Sequence, residues 1–217
     1  MKKLLVIFVG MILFGLFTLT GCSSQPPSKT AEEQKTPSKP AAPTQPEEVT
    51  GRSAFQKLYV AARGWAGDAK PFLLSSQVIK ESSGKDGKSA VWRASFASPS
   101  RKAIKPYIWS GVQADDAPSP GINPGTEDSY NPSNTSTQVF DIGFLKVDSD
   151  KAFDVAQKHG GDKITKKNAN QPVTYMLDWR PSSYLLIWHV VCGTGPEDAK
   201  LRVAVNASTG DFIRVEK

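Results

Sequence analysis

The residues with the strongest intrinsic chemistry in this 217-residue sequence are two cysteines and two histidines. Their spacing limits what that chemistry can be. His189 and Cys192 stand three apart in the run Tyr184–Cys192, whose apolar and β-branched composition reads as a strand. Residues three apart on a strand point to opposite faces, so this thiol and imidazole cannot meet as nucleophile and base. Trp188, Val190 and Cys192 share one face; Ile187, His189 and Val191 share the other. Cys192 is expected to be a buried, inert thiol. His159 falls at the end of a helical stretch, where an imidazolium interacts favourably with the dipole, and reads as a surface residue. There is no Gly-x-Ser-x-Gly elbow, no phosphate-cradling glycine loop and no paired-histidine metal motif. So few His and Cys give no basis for a multi-ligand zinc site or a disulfide framework. Asp115, Asp116, Glu127 and Asp128 do not follow the spacing of a calcium loop and read as solvated acidic residues. No catalytic residue, metal or cofactor is expected, and the chain is not expected to be an enzyme.

The other cysteine belongs to a different kind of chemistry. Met1–Lys2–Lys3 is a short basic start, and Leu4 to Phe17 is almost wholly apolar. That run suits a signal peptide and is short for a membrane span of roughly 20 residues. Leu19–Thr20–Gly21–Cys22 follows, and it resembles the bacterial lipobox: an apolar residue, two small residues that fit a narrow protease pocket, then a cysteine whose thiol receives a diacylglyceryl group. Two or more acyl chains anchor stably where one binds only marginally. The competing reading is an ordinary signal peptide, or an N-terminal anchor helix, with an incidental cysteine. The expectation is a signal peptide over 1–21, lipidation at Cys22 and attachment to a bacterial membrane on its extracytoplasmic side, inner or outer undetermined. Ser23, not Asp, follows the cysteine, which favours the outer membrane where a cell has two.

The net charge of +6 carries little partner information. Arg101, Lys102 and Lys105 cluster in one place and Lys163, Lys166 and Lys167 in another. Such clusters can bind anionic polymers or lipid head groups, but solvated loop charge accounts for them equally simply. The export signal argues against nucleic acid as a partner.

These residues need elements to position them. Ser23 to Thr50 holds six Pro and no Leu, Ile, Met or aromatic residue, too little apolar surface to offset chain entropy. The segment 22–50 is expected to be a disordered tether spanning roughly 30 Å, more with proline stiffening. Beyond it, Ser53 can cap a helix with Phe55, Leu58, Ala62 and Trp65 on one face. Strands are expected over 72–82, 89–97 and 104–109, with Pro106 placing the last at an edge or bulge. After a Pro-, Gly- and Asn-rich loop over 112–137, a strand is expected over 138–146. Asp148 or Ser149 then caps a helix stopped at Gly160–Gly161, and strands follow over 172–179, 184–192, 200–205 and 211–215. The order repeats: Ala54–Phe55 matches Ala152–Phe153, Trp92 matches Trp188 and Gly111 matches Gly210, at near-constant offsets. The fold class expected is α+β, as two tandem repeats over 51–111 and 138–217, each a helix packed on a three- or four-stranded antiparallel sheet.

The helix Asp148–Ala156, the strand and turn Val203–Gly210 and the closing strand Asp211–Val215 together resemble a PepSY-type domain over roughly 140–217. Asn206 stands where that family commonly has Asp, a mild departure because both residues serve turns. The resemblance implies a helix packed on an antiparallel sheet in a secreted or envelope protein, and a role in restraining peptidases. The doubled layout is similar to the tandem repeat of β-lactamase inhibitory protein in architecture alone.

One asymmetry points to a binding surface. The outer face of the first repeat's strand is polar, with Arg93 and Ser95; the matching face of the second has Ile187, His189 and Val191. A strand apolar on both faces is covered on both. The cover is the first repeat, the long loop or a partner. Trp109, Trp179 and Tyr184 are the candidate aromatic anchors of a protein-binding surface that includes Ile187, His189 and Val191. Trp92 and Trp188 read as core. The function expected is non-catalytic binding of an envelope protein, with envelope assembly or binding of a small ligand or anionic polymer as the alternative.

Overall fold

The computed structural model describes residues 45–216. The signal peptide 1–21, Cys22 and the tether as far as residue 44 lie outside the described residues. A two-residue strand, β1 (Val49–Thr50), leads into helix α1 (Gly51–Trp65), whose Ala54, Phe55, Leu58 and Ala62 form one buried face. Strands β2 (Lys70–Ser76), β3 (Lys88–Ser89), β4 (Val91–Ser98), β5 (Ala103–Ser110), β6 (Gly121–Pro124) and β7 (Asp128–Ser129) follow. Helices α2 (Ser149–Ala156) and α3 (Asp162–Lys167) precede β8 (Val173–Arg180), β9 (Leu185–Cys192), β10 (Leu201–Asn206) and β11 (Phe212–Glu216).

The main strands form one nine-stranded antiparallel sheet in the order β11-β10-β9-β8-β2-β4-β5-β6, with β7 also on β5. The seam between the halves is the pairing of β2 with β8, Leu74 opposite Leu177. The helices pack on one face, over Leu74, Trp92, Phe96, Leu177, Trp188, Val190 and Val203, all fully buried. Trp92 and Trp188 meet edge to face, ring centres 6.4 Å apart. Each indole Nε1 donates to the carbonyl two residues before a helix, Val49 O at 3.0 Å and Val147 O at 2.9 Å. None of the described helices is long and apolar enough to cross a membrane.

The two helix N-termini meet. Neither Thr50 nor Ser53 caps α1. Its first amides donate across the chain instead, Gly51 N to Ser149 Oγ at 2.7 Å and Arg52 N to Asp148 Oδ1 at 2.8 Å. Asp148 Oδ1 also accepts from Ser149 N at 2.7 Å, so one carboxylate serves both helices. The approach is close enough that a Cβ on Gly51 would lie 2.6 Å from Cη2 of Trp188.

Several expectations need correction. The two sheets are one, because β2 and β8 pair edge to edge and the halves extend each other laterally. The stretch 138–146 is not a strand; it holds a single 3₁₀ turn, Ile142–Phe144, capped by Asp141. Of its alternating apolar residues Phe140, Ile142 and Phe144, only Phe140 is fully buried, with Ile142 44% exposed; Leu145 is also buried, and Phe140 N donates to Pro71 O. The loop 112–137 contributes β6 and β7. Pro106 lies within β5, at the gap between the β6 and β7 pairings, where its missing N–H leaves no partner unsatisfied. The second helix does not stop at Gly160–Gly161. Gly160, at φ 114°, opens a widened turn from which α3 resumes. The expected turn after β10 forms, with Asn206 Oδ1 accepting from Ser208 N at 2.8 Å.

Candidate functional site

No α-helix covers the opposite face of the sheet among the described residues. Loops close part of it, with Ile79 and Val112 over Val91. Toward β11 the face is covered instead by its own charged side chains. Strand alternation places His189 at the centre of that end, opposite Met176 on β8 and Ala204 on β10. The ring is fully buried. Its Nδ1 lies 2.6 Å from Glu216 Oε2 and its Nε2 3.2 Å from Asp178 Oδ1. Glu216 reaches it from two strands away because Ala204, between them, has no side chain beyond Cβ.

Three arginines surround this core. Arg202 Nε stands 2.6 Å from Glu216 Oε2, Arg214 donates from an Nη to Glu216 Oε1 at 2.7 Å, and Arg180 Nε stands 3.1 Å from Asp178 Oδ1. The Nε groups of Arg180 and Arg202 are buried and within ion-pair distance, yet neither donates an aligned hydrogen bond. Beside them is a depression of ≈ 680 Å³, lined by Arg180, Ser182, Ser183, Ile187, Arg202 and Arg214 with Val215 and Glu216.

The charges set the titration. Burial pulls the His189 pKa down, but hydrogen bonds and charge from Asp178 and Glu216 outweigh it and raise the pKa. Burial pushes Glu216 up, yet His189, Arg202 and Arg214 bring it down to about 2. A carboxylate held ionised and an imidazole sealed from solvent, with both nitrogens occupied, are poorly placed for proton transfer to a substrate.

The six residues expected at a binding surface separate. Ile187, His189 and Val191 are buried inside the chain and form no exposed patch. Charged side chains from neighbouring strands, Asp178, Arg202 and Glu216, lie over His189, and Thr135 and Ser136 of the long loop stand beside Met176 and Asp178 on the same face. Trp109 is also buried, 3% exposed, with Lys57 Nζ 4.6 Å from its ring centre, so it is a core residue and not an anchor. Trp179 is half-buried and Tyr184 is 70% exposed; each packs 5.0 Å from its neighbour in a cluster that Phe144 completes. Tyr184 closes the β8–β9 turn at φ 55°. Cys192 is buried and free, and burial raises its thiol pKa. His159 stacks on Phe212 at 3.7 Å, tying the helix kink to β11.

Of the basic clusters, Arg101 and Lys105 converge on Glu127, and Lys166 pairs with Asp162. Glu127 also accepts from Trp65 Nε1 at 2.8 Å, and Asp116 accepts from Lys80 N, so the acidic loop is used internally. Among the described residues no group of His, Cys, Asp and Glu could hold a metal ion. Sequence reasoning missed Asp178, Arg180, Arg202, Arg214 and Glu216. The alternation Arg202–Ala204 and Arg214–Glu216 on two neighbouring strands was the available signal.

No family model matches the chain, and no curated protein matches it. Among solved structures, a "putative lipoprotein" from Clostridium difficile 630 is similar, with a TM-score of 0.50 and 11% identity over 75% of this chain and 91% of that one. At that identity the likeness is one of fold.

Proposed function

We propose that this chain is a lipoprotein of a bacterial envelope, held to the membrane through Cys22, whose α+β region is a non-catalytic module that binds another envelope protein. The observation that carries the binding reading is the aromatic rim that Trp179, Tyr184 and Phe144 form at the β8–β9 turn, on the helix side of the sheet, where Tyr184 is 70% exposed; such clusters anchor interfaces. The leader, the Leu19–Cys22 box and the proline-rich tether support the membrane placement, and the similar fold of a protein described as a lipoprotein agrees with it. The resemblance to PepSY domains has no family match behind it, so no peptidase is named as the partner.

We also infer that the module arose by duplication. Each half runs helix then four-strand meander, the helix N-termini meet, and the Trp92–Val49 and Trp188–Val147 bonds repeat at offsets of 96 and 98 residues.

A photo-crosslinker at Tyr184 in living cells tests the binding reading: it should capture another envelope protein, and crosslinks confined to this chain would overturn it. Cys22→Ala should abolish metabolic palmitate labelling; retained labelling would refute the anchor.

A further inference from the structure

We propose that the depression at the β11 end of the open sheet face is a binding site for an oxyanion, a carboxylate or phosphate group carried on a larger molecule, held by the guanidinium groups of Arg180, Arg202 and Arg214 beside the hydroxyls of Ser182 and Ser183. This site is separate from the aromatic rim, and it stands whether or not that rim binds a protein.

The first support is a charge surplus in a concave place. Three guanidiniums face two carboxylates, Asp178 and Glu216, and both carboxylates are also shared with His189. The recess wall carries three arginines against Glu216, and a concave surface with such a surplus concentrates the field and raises the local concentration of counter-ions.

The second support is how the arginines are used. Arginine binds a carboxylate best through two parallel N–H bonds. None of the three does so here. Arg180 donates no aligned hydrogen bond among the described residues, although its Nε lies 3.1 Å from Asp178. Arg202 approaches Glu216 through a misaligned Nε, and its Nη2 lies 3.3 Å from His189 Nδ1. Arg214 spends one Nη on Glu216. Most of their terminal N–H groups are therefore free to take paired oxygens. The side chains of Arg180 and Arg214 are 44% and 54% exposed, so both can turn toward a ligand without unpacking the sheet. The third support is size. At ≈ 680 Å³ the depression exceeds a lone phosphate, and Val215, 48% exposed, adds an apolar surface for the rest of the molecule.

The test titrates the full-length lipidated protein, in neutral detergent at low ionic strength, with inorganic phosphate, glycerol phosphate and citrate, followed by calorimetry. Saturable one-site binding is expected from at least one probe. Preference for the phosphates or for citrate identifies which oxyanion the site takes. Arg180→Gln and Arg214→Gln should each weaken binding by about tenfold or more. Arg63→Gln, on α1 near Tyr59, should leave it unchanged. Binding should also tighten severalfold as pH falls through the titration of His189, which sits among Asp178 and Arg180 on β8, Arg202 on β10, and Arg214 and Glu216 on β11. If the glutamine variants do not fold, Arg214→Lys keeps the charge and should still weaken binding by removing the fork. Three results would overturn the proposal: no saturable binding to any probe, equal weakening by Arg63→Gln, or undiminished binding in Arg214→Lys and the folded glutamine variants.

Discussion

Asp148→Ala should destabilise the folded region far more than its partly exposed position suggests. Its Oδ1 accepts from Arg52 N at 2.8 Å and Ser149 N at 2.7 Å, so one atom satisfies first-turn donors of both α1 and α2. Each lost cap costs about 1 kcal/mol. The carboxylate also offsets two helix dipoles whose positive ends face each other, worth about 0.3–1 kcal/mol apiece. The total is about 3 kcal/mol. For a folded region of this size each kcal/mol moves the melting temperature by about 2–4 °C, so the expected fall is about 6–12 °C. Thermal melts followed by far-UV circular dichroism measure it. Asp148→Asn keeps an acceptor and loses the charge, so it should cost about half as much, and its deficit should shrink in high salt. A loss below about 0.5 kcal/mol for the alanine variant would refute the shared cap. An asparagine variant as damaging as alanine in low salt would refute the dipole part.

Two further outcomes follow from the buried groups. The raised pKa of His189 means its contribution to stability is complete below its unfolded value near 6.5 and is lost as pH rises through the folded pKa. Glu216, lowered to about 2 from 4.5, contributes fully above 4.5 and loses its contribution as pH falls toward 2. Stability should therefore peak between those limits, and His189→Gln should remove the alkaline-side decline in urea melts; an unchanged pH profile in that variant would refute the assignment. Cys192, buried with a raised thiol pKa, should resist alkylation in the native protein and react once urea unfolds it. Native-state labelling at the unfolded rate would show that the strand is not packed as described.

Much of the fold is legible in residue patterns because those patterns are local. The faces of α1, β4 and β9 follow from which residues are apolar at periods of 3.6 and 2. The strands after residue 172 fall within a residue or two of where alternation places them. What escapes local reading is long-range partnership. No periodicity shows that β2 pairs with β8, since an antiparallel edge has the same composition whichever strand it joins. Phe140, Ile142 and Phe144 alternate like strand residues, while Phe140 and Phe144 act as loop anchors. Adjacent glycines signal a helix stop, yet at Gly160–Gly161 the chain passes through a wide turn and resumes, because Asp162 and the α3 residues still find helical partners.

The charged site shows the same limit more sharply. His189, Asp178 and Glu216 are separated by 11 and 27 residues and meet only because four strands lie in one register. The apolar face of Ile187, His189 and Val191 calls for cover, and all three side chains are buried. The source of that cover was open, since a covering layer can be a domain, a partner or simply long side chains from neighbouring strands. Here Arg202 and Glu216 lie over the face, and their apolar stems shield what a second sheet would otherwise bury. Such a cover differs from a packed layer in one physical respect: its outer surface is a set of hydrogen-bond donors that can be redirected. A face sealed by leucines has one state. A face sealed by arginines keeps its internal pairs and still turns unused terminal N–H groups outward, which is why the cover of this sheet and its proposed anion site are the same residues.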